Sequence, residues 1–242
     1  MFEKLRTKGF EILTQHHAEA ILTHDMPEAV EELESVLEKI SLPVEELVRG
    51  GGGEGQLTQR IRNALAGDNK WEKHNFEIKK IVDGQEKESI SHEIDHVKRF
   101  KKGVFALEIE WNNKDPFYDR DLENFKRLHA DGVISIGGII TRGSGLHSSL
   151  KDLLKEFAES RGIKSIDDLI EFDYNPTARQ RELINRAAEQ YGFAEGWSRK
   201  FVADKFGEAT THWKKLEDRV HRGLGNPCPL LLIGIPRGIV LI

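Results

Sequence analysis

A chain of 242 residues, with 38% hydrophobic and 32% charged side chains, carries enough apolar material for one well-buried core and is short for two full domains. No apolar run approaches the roughly eighteen residues a membrane-spanning helix needs, and the opening MFEKLRTKGFEIL lacks the features of a secretory signal, so a cytoplasmic protein is expected. The net charge of −5 does not by itself point to a nucleic-acid partner, because phosphate binding needs local Lys and Arg. Such groups occur at Lys79-Lys80, at Lys98-Arg99-Phe100-Lys101-Lys102 and at Lys214, Lys215, Arg219 and Arg222, although runs like these are as readily solvated surface. The single cysteine, Cys228, sits among apolar neighbours, reads as a small buried side chain and is given no functional role.

In chain order, Ile21, Leu22, Met26, Ala29, Val30, Leu33, Val36, Leu37 and Ile40 recur at the helical period, which predicts one or two helices over 18–40. The run Gly50-Gly51-Gly52-Gly53 reads as a loop, and with no Gly-Lys-Ser/Thr ending it is not a phosphate cradle. A short helix over 57–66 follows. Two strand-like segments, 89–97 and 103–111, flank the basic turn. In the second, Phe105, Leu107, Ile109 and Trp111 fall on one face and Val104, Ala106, Glu108 and Glu110 on the other.

A helix capped by Asp119 or Asp121, with Leu122, Phe125 and Leu128 inward, ends at Gly132. The apolar run 133–141 reads as a strand buried on both faces, so the order here is strand, helix, strand. Ser144 to Ser149 lead into a helix reaching about Ser160, and a helical region over 166–221, with turns at Asn175-Pro176, Gly192 and Gly207, precedes an apolar β-branched tail over 230–242 that Pro236 and Gly238 interrupt, expected as a last strand or pair of strands. The expected fold is α/β, a central mixed sheet flanked by helices, with 165–225 as a helical elaboration inside one domain spanning 1–242.

On the strand 103–111, Glu108 and Glu110 lie about 6.6 Å apart on one face. If 89–97 pairs across the turn, the strand spacing of about 4.8 Å brings Asp95 beside them. Three carboxylates so placed repel one another, and a hard divalent cation with oxygen ligands at about 2.0–2.1 Å removes that cost, with Mg²⁺ the natural guest. Asp95 and Glu108 would then hold the metal and Glu110 would orient or deprotonate a water, an arrangement suited to phosphodiester hydrolysis. A Glu-x-Glu pair is also the ordinary wet face of an edge strand, and spacing alone does not separate the two readings.

The stretch Leu107-Glu-Ile-Glu-Trp-Asn-Asn-Lys-Asp-Pro-Phe, with Ile139-Ile-Thr-Arg-Gly and its continuation to His147-Ser-Ser-Leu150, resembles the BglII and BamHI group of type II restriction endonucleases. The likeness runs from residue 18 to about 150 and fades beyond Ser160. In that group an Asp on one strand and a Glu on the next bind the metal, which implies Asp95 and Glu108 here. The position two residues on is Gln in BglII-like and Glu in BamHI-like members, and this chain has Glu110. The resemblance also implies a homodimer that cuts a palindromic double-stranded DNA site with Mg²⁺. It further implies DNA-facing loops at Asn112, Asn113 and Lys114 and at Arg142, Ser144, His147, Ser148 and Ser149. Within those loops Arg142 can pair bidentately with guanine and Asn113 with adenine, and both can equally contact phosphates or be solvated.

Two other readings compete. His92-Glu93-Ile94-Asp95-His96 matches the H-E-x-x-H pattern of zinc peptidases, which requires a helix to place both imidazoles on one face. A non-enzymatic DNA-binding protein would use Arg179, Arg181, Arg199 and Lys200 around Gly192 in a loosely helix-turn-helix manner.

Overall fold

The computed structural model describes residues 1–50 and 54–242, so the expected glycine loop lies, beyond Gly50, outside the described residues. The first third is mostly helical: α1 (Glu3–Thr7), β1 (Glu11–Gln15), α2 (Ala18–His24), α3 (Pro27–Leu37), β2 (Leu42–Pro43), α4 (Val44–Val48) and α5 (Gln56–Ala66). Three strands follow, β3 (Glu72–Val82), β4 (Gln85–Phe100) and β5 (Gly103–Glu110), then α6 (Phe117–Ala130), β6 (Ile136–Arg142) and α7 (Ser144–Ser160). After a 3-10 turn at Asp167–Phe172 come α8 (Ala178–Tyr191), α9 (Phe193–Lys205), α10 (Trp213–His221), β7 (Leu230–Ile235) and β8 (Val240–Leu241). The one or two helices expected over 18–40 are two, and the helix from 57 and the breaks at Gly192 and Gly207 appear where the sequence places them; α7 instead starts at Ser144, so Ser144, His147, Ser148 and Ser149, expected in a loop, lie on its first turns.

Six strands form one sheet in the order β1-β7-β6-β5-β4-β3, among the described residues, and β2 pairs with β8 in parallel apart from it. The β5/β6 and β6/β7 pairs are parallel and the other three antiparallel, which makes the sheet mixed. Helix α6 supplies the crossover that two parallel strands require. The two faces of β5 serve two cores. Phe105, Leu107 and Ile109 pack with α2, α3, α5 and α7, whereas Ala106 packs with Tyr118, Leu122 and Phe125 of α6 and Trp213 and Leu216 of α10. A period of two in the sequence has become a sheet covered on both sides.

Strand β6 contains Gly137-Gly138 because neighbours on both faces press against it. A Cβ at Gly137 would stand 2.6 Å from the Phe125 ring, and one at Gly138 would stand 2.8 Å from Phe105. We expect Gly137→Ala to cost about 1–3 kcal/mol through overpacking, read as a lower urea midpoint with an unchanged m-value. An unchanged midpoint would mean that α6 is free to retreat from the sheet.

Three expectations need correction. β3 was not anticipated, because its residues are mostly exposed and charged and only Phe76 is buried. The signal for it was Asp83-Gly84, both at positive φ, closing the two-residue hairpin between Val82 and Gln85. Asp119 and Asp121 do not cap α6, which begins at Phe117 after Pro116; Asp119 instead accepts Arg219, at 2.9 and 3.1 Å, and Asp121 is fully buried. Finally, His92 and His96 lie within the extended strand β4, so the H-E-x-x-H geometry of a peptidase is absent; Glu93 pairs instead with Lys73 at 2.7 Å.

The region beyond 165 is built around aromatic packing. Trp197 and Phe201 of α9 meet Phe157, Tyr174 and Phe206, and Gly196 lets α9 close onto the Ala187 backbone of α8. Arg181 pairs with Asp167 and Arg199 with Glu195, so two of the four cations proposed for a helix-turn-helix are held in surface ion pairs. No helix among the described residues is long and apolar enough to cross a membrane.

Candidate active site

β4 and β5 pair as a hairpin, with His96 opposite Leu107 and Val97 opposite Ala106. One step beyond His96 and Leu107 stand Asp95 and Glu108, so the turn brings together the two residues expected to share a site. The partner strand β3 shifts register between Glu72 and His74, opposite Val97 and Ile94, which places a bulge at Asp95-His96. The bulge keeps Ile94 and Val97 both in the α6-side core, and it leaves the Asp95 carboxylate exposed, 3.6 Å from Lys73 Nζ.

Glu108 and Glu110 end β5 on the α6 side and are almost wholly buried, at 4% and 3% exposure. Burial lifts Glu108 well above the usual carboxylate range, with Asp121, Asp95 and Glu110 adding to the effect; the Asp95 backbone N–H directed at its carboxylate offsets only part of this. Burial, then Asp121, pushes Glu110 up to about 8, against an opposing hydrogen bond from Asn113 Nδ2 at 2.7 Å. Asp121, also raised by burial, is held toward its ionised form by Arg120 at 2.8 Å and accepts from Glu110, so the proton the two acids share rests on Glu110. Asp121 is thus a fourth acid of the site, missed in the sequence because nothing local says which face of α6 meets β5.

These carboxylates fit a divalent cation. Three of the four are buried, Arg120 is the one cation paired with those three among the described residues, and the Asp121 Oδ2 atom is buried with no hydrogen-bond partner. No three of these acids bring their oxygens within 4.8 Å of one another among the described residues, and Asp95 is the exposed member of the four.

The cost of these buried charges has a pH consequence. Because the Glu110 carboxyl titrates higher in the fold than in the unfolded chain, metal-free protein is expected to lose stability as pH rises from the ordinary carboxylate range to about 8. Thermal melts in EDTA across that window should show the decline, and Glu110→Gln should flatten it; a wild-type profile as flat as the variant's would refute the assignment.

The loop after β5 is stitched to the loop before α10. Asn113 N–H donates to Thr211 Oγ1 at 3.0 Å, its carbonyl accepts from Thr211 N–H at 2.9 Å, and Lys114 bridges Thr210. Asn113 and Lys114 stay exposed beside the acids, while Asn112 is half-buried and donates to the Lys205 carbonyl at 3.0 Å. Tyr118 OH donates to Thr141 Oγ1 at 2.6 Å, which in turn donates to the Glu110 carbonyl at 2.7 Å and fixes the strand end carrying that acid.

The second loop behaves differently from expectation. Arg142 has no exposed surface: its guanidinium donates to the Trp111 and Thr211 carbonyls, Asn112 Oδ1 and Thr210 Oγ1, at 2.9–3.3 Å. Burial lowers it to about 10, still protonated at neutral pH. It ties the two loops together inside the molecule and does not reach a base edge. Ser144 is exposed, but its N–H and hydroxyl both donate to Glu11, at 2.6 and 2.5 Å. Ser148 and Ser149 return their hydroxyls to the Gly145 and Leu146 carbonyls, and His147 stacks on His212.

A mixed sheet covered by helices on both faces, with acids converging at the ends of an antiparallel hairpin, is the α/β architecture of the restriction-endonuclease-like nucleases. Residues 10–235 match the family described as restriction endonuclease BglII/BglIII, and the chain belongs to that family. It is accordingly a site-specific nuclease of the restriction type, acting on DNA. A search of curated protein sequences returned no match.

Proposed function

We propose that the chain is a Mg²⁺-dependent type II endonuclease that hydrolyses one phosphodiester in each strand of a short palindromic DNA site, working as a homodimer. The observation that carries this is the convergence of Glu108, Glu110 and Asp121 in a buried, under-compensated cluster beside Asp95. Asp95 and Glu108 hold the ion, with Asp121 beside them. When bound, Mg²⁺ supplies Lewis-acid polarisation of the phosphoryl group and neutralises developing negative charge.

Glu110, in its ionised form, orients the attacking water and takes its proton as the water oxygen bonds to phosphorus and the bond to the 3′ oxygen breaks in line, the departing 3′ oxygen taking a proton from solvent. A carboxyl lifted toward neutrality is a better base than an ordinary one. Asn113, bonded to Glu110 Oε2, fixes the direction in which that carboxylate points. Asn113 and Lys114, exposed next to the acids, reach the DNA. Ser148, exposed on α7, offers a phosphate contact, whereas Arg142 acts from within.

Digestion of unmethylated phage DNA with the full chain and Mg²⁺ tests the reading: discrete fragments, abolished by EDTA, are expected. Salt-sensitive binding with no cleavage under any divalent ion would leave a sequence-specific binding protein in its place.

A further inference from the structure

Away from the acids, His147 in the first turn of α7 and His212 at the start of α10 stack face to face, with ring centroids 3.9 Å apart and planes 5° from parallel. Glu208, exposed in the segment between α9 and α10, directs one oxygen toward each ring: Oε1 lies 3.9 Å from His147 Nε2 and Oε2 lies 3.8 Å from His212 Nε2. The three side chains offer donor atoms all within 4.8 Å of one another, which no other group of three His, Cys, Asp or Glu does among the described residues.

The His212 side chain is 2% exposed, yet neither of its ring nitrogens has a hydrogen-bond partner, and His147 Nδ1 is likewise buried without one. Buried polar atoms left bare in this way are costly and call for an explanation. Burial, with Arg142 nearby, keeps both imidazoles neutral, the form that offers a lone pair to a metal.

We propose that His147, Glu208 and His212 form a second metal site, separate from the acidic centre, that takes a borderline transition-metal dication of the Zn²⁺ type. Two imidazoles and one carboxylate select such an ion over Mg²⁺, which prefers oxygen donors alone. With bonds of about 2.0–2.1 Å, tetrahedral donors sit roughly 3.3 Å apart. Glu208 closes the difference by a small swing of an exposed side chain. The two rings must also tilt out of parallel so that their in-plane lone pairs converge, and the unpartnered His212 nitrogens give up no hydrogen bond in doing so.

A bound ion would fasten α7 to the segment ending in Thr210 and Thr211, the two residues that pin Asn113 and Lys114 next to the acids. The site is therefore a clasp on the DNA-facing loops. It contributes no reacting group.

Calorimetric titration of the EDTA-stripped full chain with Zn²⁺, in excess Mg²⁺, is the test. One Zn²⁺ per chain is expected for the wild type and for Asp95→Ala/Glu108→Ala, with affinity about tenfold or more lower in His147→Gln and in Glu208→Gln. Both substituted residues reach solvent, so these variants should fold, and their circular dichroism checks that they do. Co²⁺ should give the wild type a visible d–d absorption that His147→Gln/Glu208→Gln lacks, and Zn²⁺ should raise the melting temperature of the wild type alone. Equal Zn²⁺ uptake by the wild type and the folded double variant, or no uptake by the wild type, would overturn the proposal.

Discussion

Asp95→Ala and Glu108→Gln proteins are expected to bind DNA while cutting it more slowly by on the order of 10³-fold or more, the several kcal/mol that a metal ligand contributes to the transition state. The two variants reach this result from opposite starting points. Asp95 is exposed and held only by Lys73, so removing its carboxylate leaves the hairpin intact. Glu108 is buried with its neutral form favoured, so the amide replaces a neutral acid, removes the cost of protonating it on folding, and metal-free stability should hold or rise. Loss of cleavage together with unchanged or increased stability separates a chemical role from a folding defect. Undiminished cutting by either protein would remove the acids from the mechanism.

Arg142→Ala carries the largest expected structural effect. The side chain is fully buried, places four hydrogen bonds across two loops, and lies over the Phe206 ring at 5.0 Å. Its removal strips donors from buried acceptors and opens a cavity, at a cost of about 3–5 kcal/mol, comparable to breaking a buried charge network. For a chain of this size that is a melting temperature lower by roughly 10 °C. Cleavage should fall as well, because Asn112 and Asn113 lose their support. A variant with native stability and altered sequence preference would instead make Arg142 a base-reading residue.

The local patterns were legible, because a period of two or of 3.6 is a property of neighbouring residues. Phe105, Leu107 and Ile109 alternate with Ala106, Glu108 and Glu110, and that alternation alone placed both glutamates on one face of β5. The basic turn between two strand-like segments allowed a hairpin that would bring Asp95 beside Glu108, and β4 and β5 do pair across it. β3 escaped notice because a mostly solvated strand has no buried face to impose alternation, and only Asp83-Gly84 marked its turn.

What the chain's order of residues determined is therefore the sheet-and-helix succession and the pairing of Asp95 with the Glu108–Glu110 strand. The tertiary structure alone decided that Asp121 joins those acids, that Arg142 turns inward, and that His147 meets His212 and Glu208. Each of these depends on how helices α6, α7 and α10 dock against the sheet, and docking is set by packing between residues far apart in the chain, which leaves no periodic mark near any one of them.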